Sequence, residues 1–197
     1  MRTARVERAT KETSIRLTVG PPEDVPTRIQ TPIGFLDHML DTISRHGRLG
    51  LAVDARGDVH VDYHHTVEDV GLALGEALEQ ALGDKRGIRR FGHAYIPLDE
   101  ALARVVVDLS GRPYFAWEVA ADPEMLLVTP DFVFALVEEF FKSVAFRGRM
   151  NLHVALLAGR NGHHAAEAIT KAFARALADA MAPSGVDAIA STKGTLA

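Results

Sequence analysis

Polar and apolar residues alternate with a period of two over Arg5 to Thr10 and again over Thr13 to Val19, the pattern of half-buried strands. A loop rich in proline (Pro21, Pro22, Pro26) breaks that pattern, and the period then lengthens. From Gly34 to Arg45, Phe35, Met39, Thr42 and Ile43 recur at helical spacing, and Gly47 is placed to end the helix. Leu49 to Ala55 and Val59 to Tyr63 return to alternation, with Gly57-Asp58 between them as a hairpin turn. A long helix follows from His64 to Leu82, stopped by Gly83. The second half of the chain runs through the same order. It has strands near Leu102 to Leu109 and Tyr114 to Val119, a helix from Asp131 to Ala145, a strand from Met150 to Leu157 and a helix from Gly162 to Met181, with turns at Ser110-Gly111 and Gly159-Arg160-Asn161. From Pro183 onward no periodicity remains, so the tail is a loop or an ordered arm.

The recurrence extends to individual residues. His64-His65-Thr66-Val67-Glu68 and His163-His164-Ala165-Ala166-Glu167 are the same five-residue signature at two helix starts, ninety-nine positions apart. His46 to Val53 matches Arg147 to Val154 at an offset of 101, which pairs His38 with Glu139 in the preceding helices. An internal duplication of this kind makes each half one supersecondary unit packed on its twin about a pseudo-twofold axis. The expected fold is therefore α+β, a tandem of duplicated α/β half-domains. The chain reads as a single domain over 1–197, with repeats at approximately 1–90 and 91–185 and a C-terminal tail at 186–197.

On a helix the Glu of each signature lies beneath the two His that precede it. Adjacent His diverge by roughly 100°, so the two of one signature serve different ions. Polar groups where a core would want Leu or Ile have little packing rationale, which makes metal binding the stronger reading. His38, His64, His65, Glu68, Glu139, His163, His164 and Glu167 are then eight candidate ligands for two sites. His60 and His93 have no symmetric partners and are taken as ordinary polar residues, while His153, opposite Ala52 in the repeat, is a ligand or an outer partner of one. Arg89-Arg90, Arg112 and Lys193 lie in turns or in the tail, where charge-assisted hydrogen bonds suit phosphate capture.

Composition narrows the partners. Hydrophobic residues make up 47% of the 197 positions and charged residues 24%, ordinary values for a globular chain with one sizeable core. A formal charge of −4 without any Lys/Arg-rich run argues against nucleic acid as a partner, because neutralising phosphates needs a concentrated basic face. Cys is absent, which excludes disulfides, thiolate zinc sites and a Cys nucleophile and leaves His and carboxylate as metal donors. Met1 to Val19 lacks the apolar core of a signal peptide and no apolar run approaches a membrane span, so a cytoplasmic protein with no membrane partner is expected.

Five motifs stand in order along the chain: FLDHM at 35–39, DYHHTVED at 62–69, DLSGRP at 108–113, GRNGHHAAEA at 159–168 with KAFARAL following, and STKG at 191–194. Together they resemble the imidazoleglycerol-phosphate dehydratase family of histidine biosynthesis. The resemblance implies a duplicated α/β fold similar to the second domain of ribosomal protein S5, two Mn²⁺ ions per active site, and homo-oligomers in which trimers assemble into a 24-mer. It assigns His38, His64, His65, Glu68, His163, His164 and Glu167 to the metals. The eighth position departs, since many family members have His where this chain has Glu139, although carboxylate also suits Mn²⁺. Glu12 and His46 would touch a phosphorylated imidazole substrate, and Arg90, Arg112, Ser191 and Lys193 would grip its phosphate. Dehydration needs a base for an unacidified carbon. Glu12 is the first candidate and a released ligand, Glu68 or Glu167, the second, with His46 also in the catalytic set. Two other classes keep the same ligands: a metal-dependent hydrolase that activates water, and a metal-storage cage with no use for the basic turns.

Overall fold

The computed structural model describes residues 1–120 and 122–196. The first half contains strands β1 (Ala4–Ala9), β2 (Thr13–Gly20) and β3 (Arg28–Gln30), helix α1 (Gly34–Gly47), strand β4 (Gly50–Gly57) and helix α2 (His64–Leu82). The second contains β5 (Phe91–Leu98), β6 (Ala101–Asp108) and β7 (Tyr114–Glu118). A single 3-10 turn at Pro123–Met125 and a small hairpin of β8 (Leu127–Thr129) and β9 (Phe132–Val133) follow, then α3 (Ala135–Arg147), β10 (Asn151–Ala158) and α4 (Gly162–Met181). Two four-stranded sheets have the same order, β1-β2-β4-β3 and β5-β6-β10-β7, with antiparallel pairs throughout except for one parallel edge strand in each, β3 and β7. The fold is α+β, as the two alternating periods predict.

Each sheet carries its own two helices on its inner face, and the helix layers meet crosswise, α1 on α4 and α2 on α3. The core lies between them. Phe140, Phe141 and Phe173 are fully buried there, with ring centroids 5.2 and 5.1 Å apart along the series. Truncating such a ring costs about 3–5 kcal/mol. Helix α4 is buried on most of its circumference through Ala165, Ala166, Ala168, Ile169, Ala172, Phe173, Ala176 and Leu177, and small residues let its neighbours come close. On α2, a Cβ at Gly75 would lie 2.6 Å from the Val144 carbonyl oxygen of α3, so only glycine permits this helix contact.

Several elements depart from the pattern reading. Val59 to Tyr63 is a turn, closed by the Val61 N–H on the Asp58 carbonyl, because β4 already has β2 on one side and β3 on the other and no edge is left for a returning strand. The α1 helix ends on Arg48 in the left-handed region (φ 54°), one residue after Gly47, and Arg149 (φ 49°) does the same after α3. Strand β5 escapes the alternation because its inward positions are as small as Gly92 and Ala94, and a Cβ at Gly92 would collide with the Ala176 carbonyl of α4. The helix expected from Asp131 starts at Ala135, since Phe132 and Val133 pair with β8. The tail is an ordered arm: Gly87 and Arg89 donate to Ala188 and Ala182, and Ser184 donates back to Gly87. Among the described residues no helix is long and apolar enough to cross a membrane.

Candidate metal and substrate site

The Asn161 side chain caps α4 by accepting the backbone N–H groups of His163 (2.9 Å) and His164 (3.1 Å), which fixes where both imidazoles leave the helix. They diverge as the 100° step requires, with ring centroids 6.4 Å apart and planes at 86°. His163 turns toward α1, where its ring lies 6.0 Å from that of His38. One turn along α4, Glu167 Oε2 is 3.2 Å from His38 Nε2 and 3.3 Å from His163 Nε2, while Oε1 accepts from Lys171 at 2.6 Å. Burial by itself would push the Glu167 carboxyl up, but hydrogen bonds from Lys171 and His38 outweigh it and bring the pKa down to about 2. Phe35 wedges the group from below, 5.8 Å from the His38 ring and 5.3 Å from that of His163, and rests on Phe132 of the small hairpin at 5.0 Å.

The signature on α2 is arranged differently. His64 and His65 also diverge, at 79°, and His64 Nε2 stands 3.9 Å from Glu68. His65 Nδ1 meets Asp58 Oδ2 at 3.0 Å and Glu12 at 3.9 Å. An ionised carboxylate only accepts, so the proton sits on Nδ1 and leaves the Nε2 lone pair outward. His164 is held the same way, its Nδ1 donating to Glu100 Oε2 at 2.8 Å. These hydrogen bonds, to Asp58 and Glu100 respectively, raise the pKa of His65 and of His164, and the Glu100 carboxyl falls to about 2, first through His164 and then through the Asn161 N–H.

Two groups of donors lie within 4.8 Å of one another: His38, His163 and Glu167, and Glu12, Asp58 and His65. Glu167 Oε2, at 3.2 and 3.3 Å from the two imidazole nitrogens, has the spacing and the imidazole–carboxylate chemistry of donors around one transition-metal ion, whereas in the second group the His65 atom that lies close is the Nδ1 that already donates to Asp58. Asp58 Oδ1, buried without a hydrogen-bond partner, is an acceptor that a cation would satisfy. Glu139 joins neither group among the described residues. It is paired with Lys142 on its own helix at 3.3 Å. His153 is exposed on β10 against Tyr114 and His93 is exposed on β5, so neither is gathered with the other imidazoles.

Of the basic set, Arg90, Arg112, Ser191 and Lys193 line one cleft of about 600 Å³ formed where the tail passes the β6–β7 turn. Arg90 is largely committed within it: Nε and Nη2 bind Asp108 at 2.7 and 3.1 Å and Nη1 holds the Ala190 carbonyl at 2.7 Å. His46 lies two turns beyond His38 on the same stripe of α1, and its pKa is lowered by burial and by Lys171 and Arg175 of α4. Asp58 and Glu100 belong to no predicted set. Glu100 is reached only through the strand registers of the two sheets, which make it the counterpart of Glu12.

The family model described as imidazoleglycerol-phosphate dehydratase matches residues 31–177. The imidazoleglycerol-phosphate dehydratase of Lacticaseibacillus casei (strain BL23) is 50% identical over 197 residues, the whole of both chains. The crystal structure of imidazoleglycerol-phosphate dehydratase from Staphylococcus aureus subsp. aureus N315 superposes with a TM-score of 0.82 at 38% identity, over 92% of this chain and 99% of that one. That of the Pyrococcus furiosus protein in complex with (S)-C348 gives 0.83 at 34%, over 97% and 100%.

Proposed function

The chain belongs to the imidazoleglycerol-phosphate dehydratase family, and from that premise we propose that it removes water from imidazoleglycerol phosphate to give imidazoleacetol phosphate, with Mn²⁺ held by the signature residues. The observation that carries the reading is the meeting of His38 with His163 and Glu167 across the two halves of the chain. His38, His163 and Glu167 would hold one ion, and His64, His65, Glu68, His164 and Glu139 would supply further donors, with the two imidazoles of each signature going to different ions. When bound, the ions supply Lewis-acid polarisation of the substrate imidazole and hydroxyls.

The residues of this chain do the rest. Asp58 accepts the Nδ1–H hydrogen bond of His65, so the nearby Glu12 carboxylate is not tied up and serves as the base that removes the proton from carbon. His46, its pKa lowered, is neutral near pH 7 and orients a substrate hydroxyl rather than repelling the ions. Arg112, Lys193 and the Ser191 hydroxyl bind the phosphate directly. Arg90 contributes its remaining N–H groups and ties the tail to Asp108, which closes the cleft around that phosphate.

Three donors do not fill the six-coordinate shell usual for Mn²⁺. Substrate atoms and side chains from a neighbouring subunit complete it in this reading, which makes the metal an assembly ligand and agrees with trimers that join into a 24-mer. The test is an assay of Mn²⁺-loaded protein on imidazoleglycerol phosphate, with chelated protein inactive. Hydrolysis of phosphate esters without dehydration would overturn the proposal in favour of a metallohydrolase.

A further inference from the structure

Glu100 sits in the turn between β5 and β6 and accepts three hydrogen bonds. Its Oε1 takes the backbone N–H of Asn161 at 2.9 Å and of Arg160 at 3.4 Å, and its Oε2 takes His164 Nδ1 at 2.8 Å. Asn161 in turn caps α4 through the N–H groups of His163 and His164. One carboxylate therefore fixes both the start of the signature helix and the rotation of the imidazole that leaves it. Asp99 Oδ2 stands 3.7 Å from His164 Nε2, beyond hydrogen-bond reach, so that lone pair is left for a cation.

The duplication identifies the counterpart. Leu17 lies opposite Val53 in the first sheet and Val105 opposite Val154 in the second, and Val53 and Val154 are the same position of the repeat. Stepping back along β2 and β6 from Leu17 and Val105 pairs Thr13 with Ala101 and Glu12 with Glu100. Each outer hairpin thus brings one glutamate over the start of a signature helix. In the second half that glutamate holds the imidazole. In the first half Asp58, from the β4–α2 turn, occupies His65 Nδ1 at 3.0 Å, and Glu12 stays 3.9 Å away.

We propose that Glu100 is a positioning residue that locks His164 as the Nδ1–H form with Nε2 presented to the metal, and that Asp58 does this for His65 so that Glu12 is released for proton transfer. The inference rests on the metal reading given above. A carboxylate behind a ligating imidazole sets its tautomer and raises its basicity, and losing one typically costs about 10–100-fold in metal affinity. Glu100→Gln keeps one acceptor oxygen where Asn161 and His164 use two, and an amide N–H turned toward His164 favours the wrong tautomer.

Two readouts test this on the full chain. Solid-state ¹⁵N NMR of histidine-labelled, chelated protein at alkaline pH reads the tautomers directly. His164 should be Nδ1–H in the wild type and shift toward Nε2–H in Glu100→Gln. Titration with Mn²⁺, following the free ion by electron paramagnetic resonance, should show one class of sites weakened about 10–100-fold in Glu100→Gln. Glu100→Asp should recover part of that loss, and Glu124→Gln, which lines the same cleft without touching His164, should bind as wild type. An unchanged tautomer with unchanged Mn²⁺ affinity in Glu100→Gln overturns the positioning role alone. Wild-type protein that takes up no Mn²⁺ defeats the metal reading itself.

Discussion

The two signature helices carry the same His-His-x-x-Glu, yet one has gathered its partners and the other has not. At α4, His38 reaches across from α1 and closes a group with His163 and Glu167. At α2, the position equivalent to His38 is Glu139, which turns to Lys142. The difference is electrostatic. An imidazole can donate to Glu167 without any ion present, whereas Glu139 beside Glu68 would place two carboxylates together with nothing between them, and like charges repel until a cation arrives. The repeat continues the contrast one turn further along, where Lys171 neutralises Glu167 and the matching residue on α2 is Leu72. The α4 cluster is preassembled and nearly charge-balanced; the α2 cluster is more anionic and, in the proposed reading, closes only when a metal binds.

The sharpest way to break that comparison is to remove a donor from the assembled side. His163→Ala should abolish one class of Mn²⁺ site and lower kcat by more than the about 10–100-fold expected for losing an outer partner. Metal content and turnover, measured together, check it. Substitution of the two equivalent glutamates should then separate chemistry from binding. Glu12→Gln is expected to cut kcat by about 10²–10⁴-fold while both ions remain bound, the range for a lost general base. An equal loss of bound Mn²⁺ in Glu12→Gln would show that the two glutamates still share one role.

Much of this was legible in the chain because the chemistry was written twice. The signatures, the third partner His38 and the bounds of α2 and α4 follow from helical spacing and from an offset near 100 residues, and none of those depends on tertiary detail. The partners that hold the imidazoles were not legible. Asp58 lies in a stretch whose alternation mimics a strand, and only the sheet order shows that β4 has no free edge there. Glu100 sits in a two-residue turn beside β5, a strand hidden by its small inward residues. Pairing it with Glu12 needs the strand registers of both sheets. The small hairpin that puts Phe132 under Phe35 has no counterpart in the first half, so the repeat could not announce it.

A smaller effect should appear on acidification. Neutral imidazole is the metal ligand, so protons and Mn²⁺ compete for the same lone pair. Hydrogen bonds to Asp58 and Glu100 raise the pKa of His65 and His164, so Mn²⁺ release as pH falls should begin at a higher pH than it would with ordinary imidazoles in their place. If the metal bridges subunits, light scattering should record a large particle breaking into smaller oligomers over the same range, with circular dichroism unchanged. In chelated protein, Lys171→Leu should let the Glu167 carboxyl climb from about 2 toward 4.5, because the first of the hydrogen bonds opposing its burial is gone. A ¹³C NMR titration reads that shift.

The smallest effect belongs to the α2 side. Lys142 must let go of Glu139 before that carboxylate can join Glu68 and His64, and the pair is half exposed at the lysine, so holding it together is worth only about 0–1 kcal/mol. Lys142→Met keeps the length and apolar stem of the side chain but removes the competing charge. Mn²⁺ affinity at one class of sites should therefore rise, by at most about fivefold, the equivalent of that 1 kcal/mol. The α4 site should not respond, since Lys142 is not among its partners. Two-site fits of Mn²⁺ titrations on wild type and variant measure both constants. A fall in affinity would mean that Lys142 holds Glu139 where the ion needs it, and the α2 site would then be as preassembled as its twin.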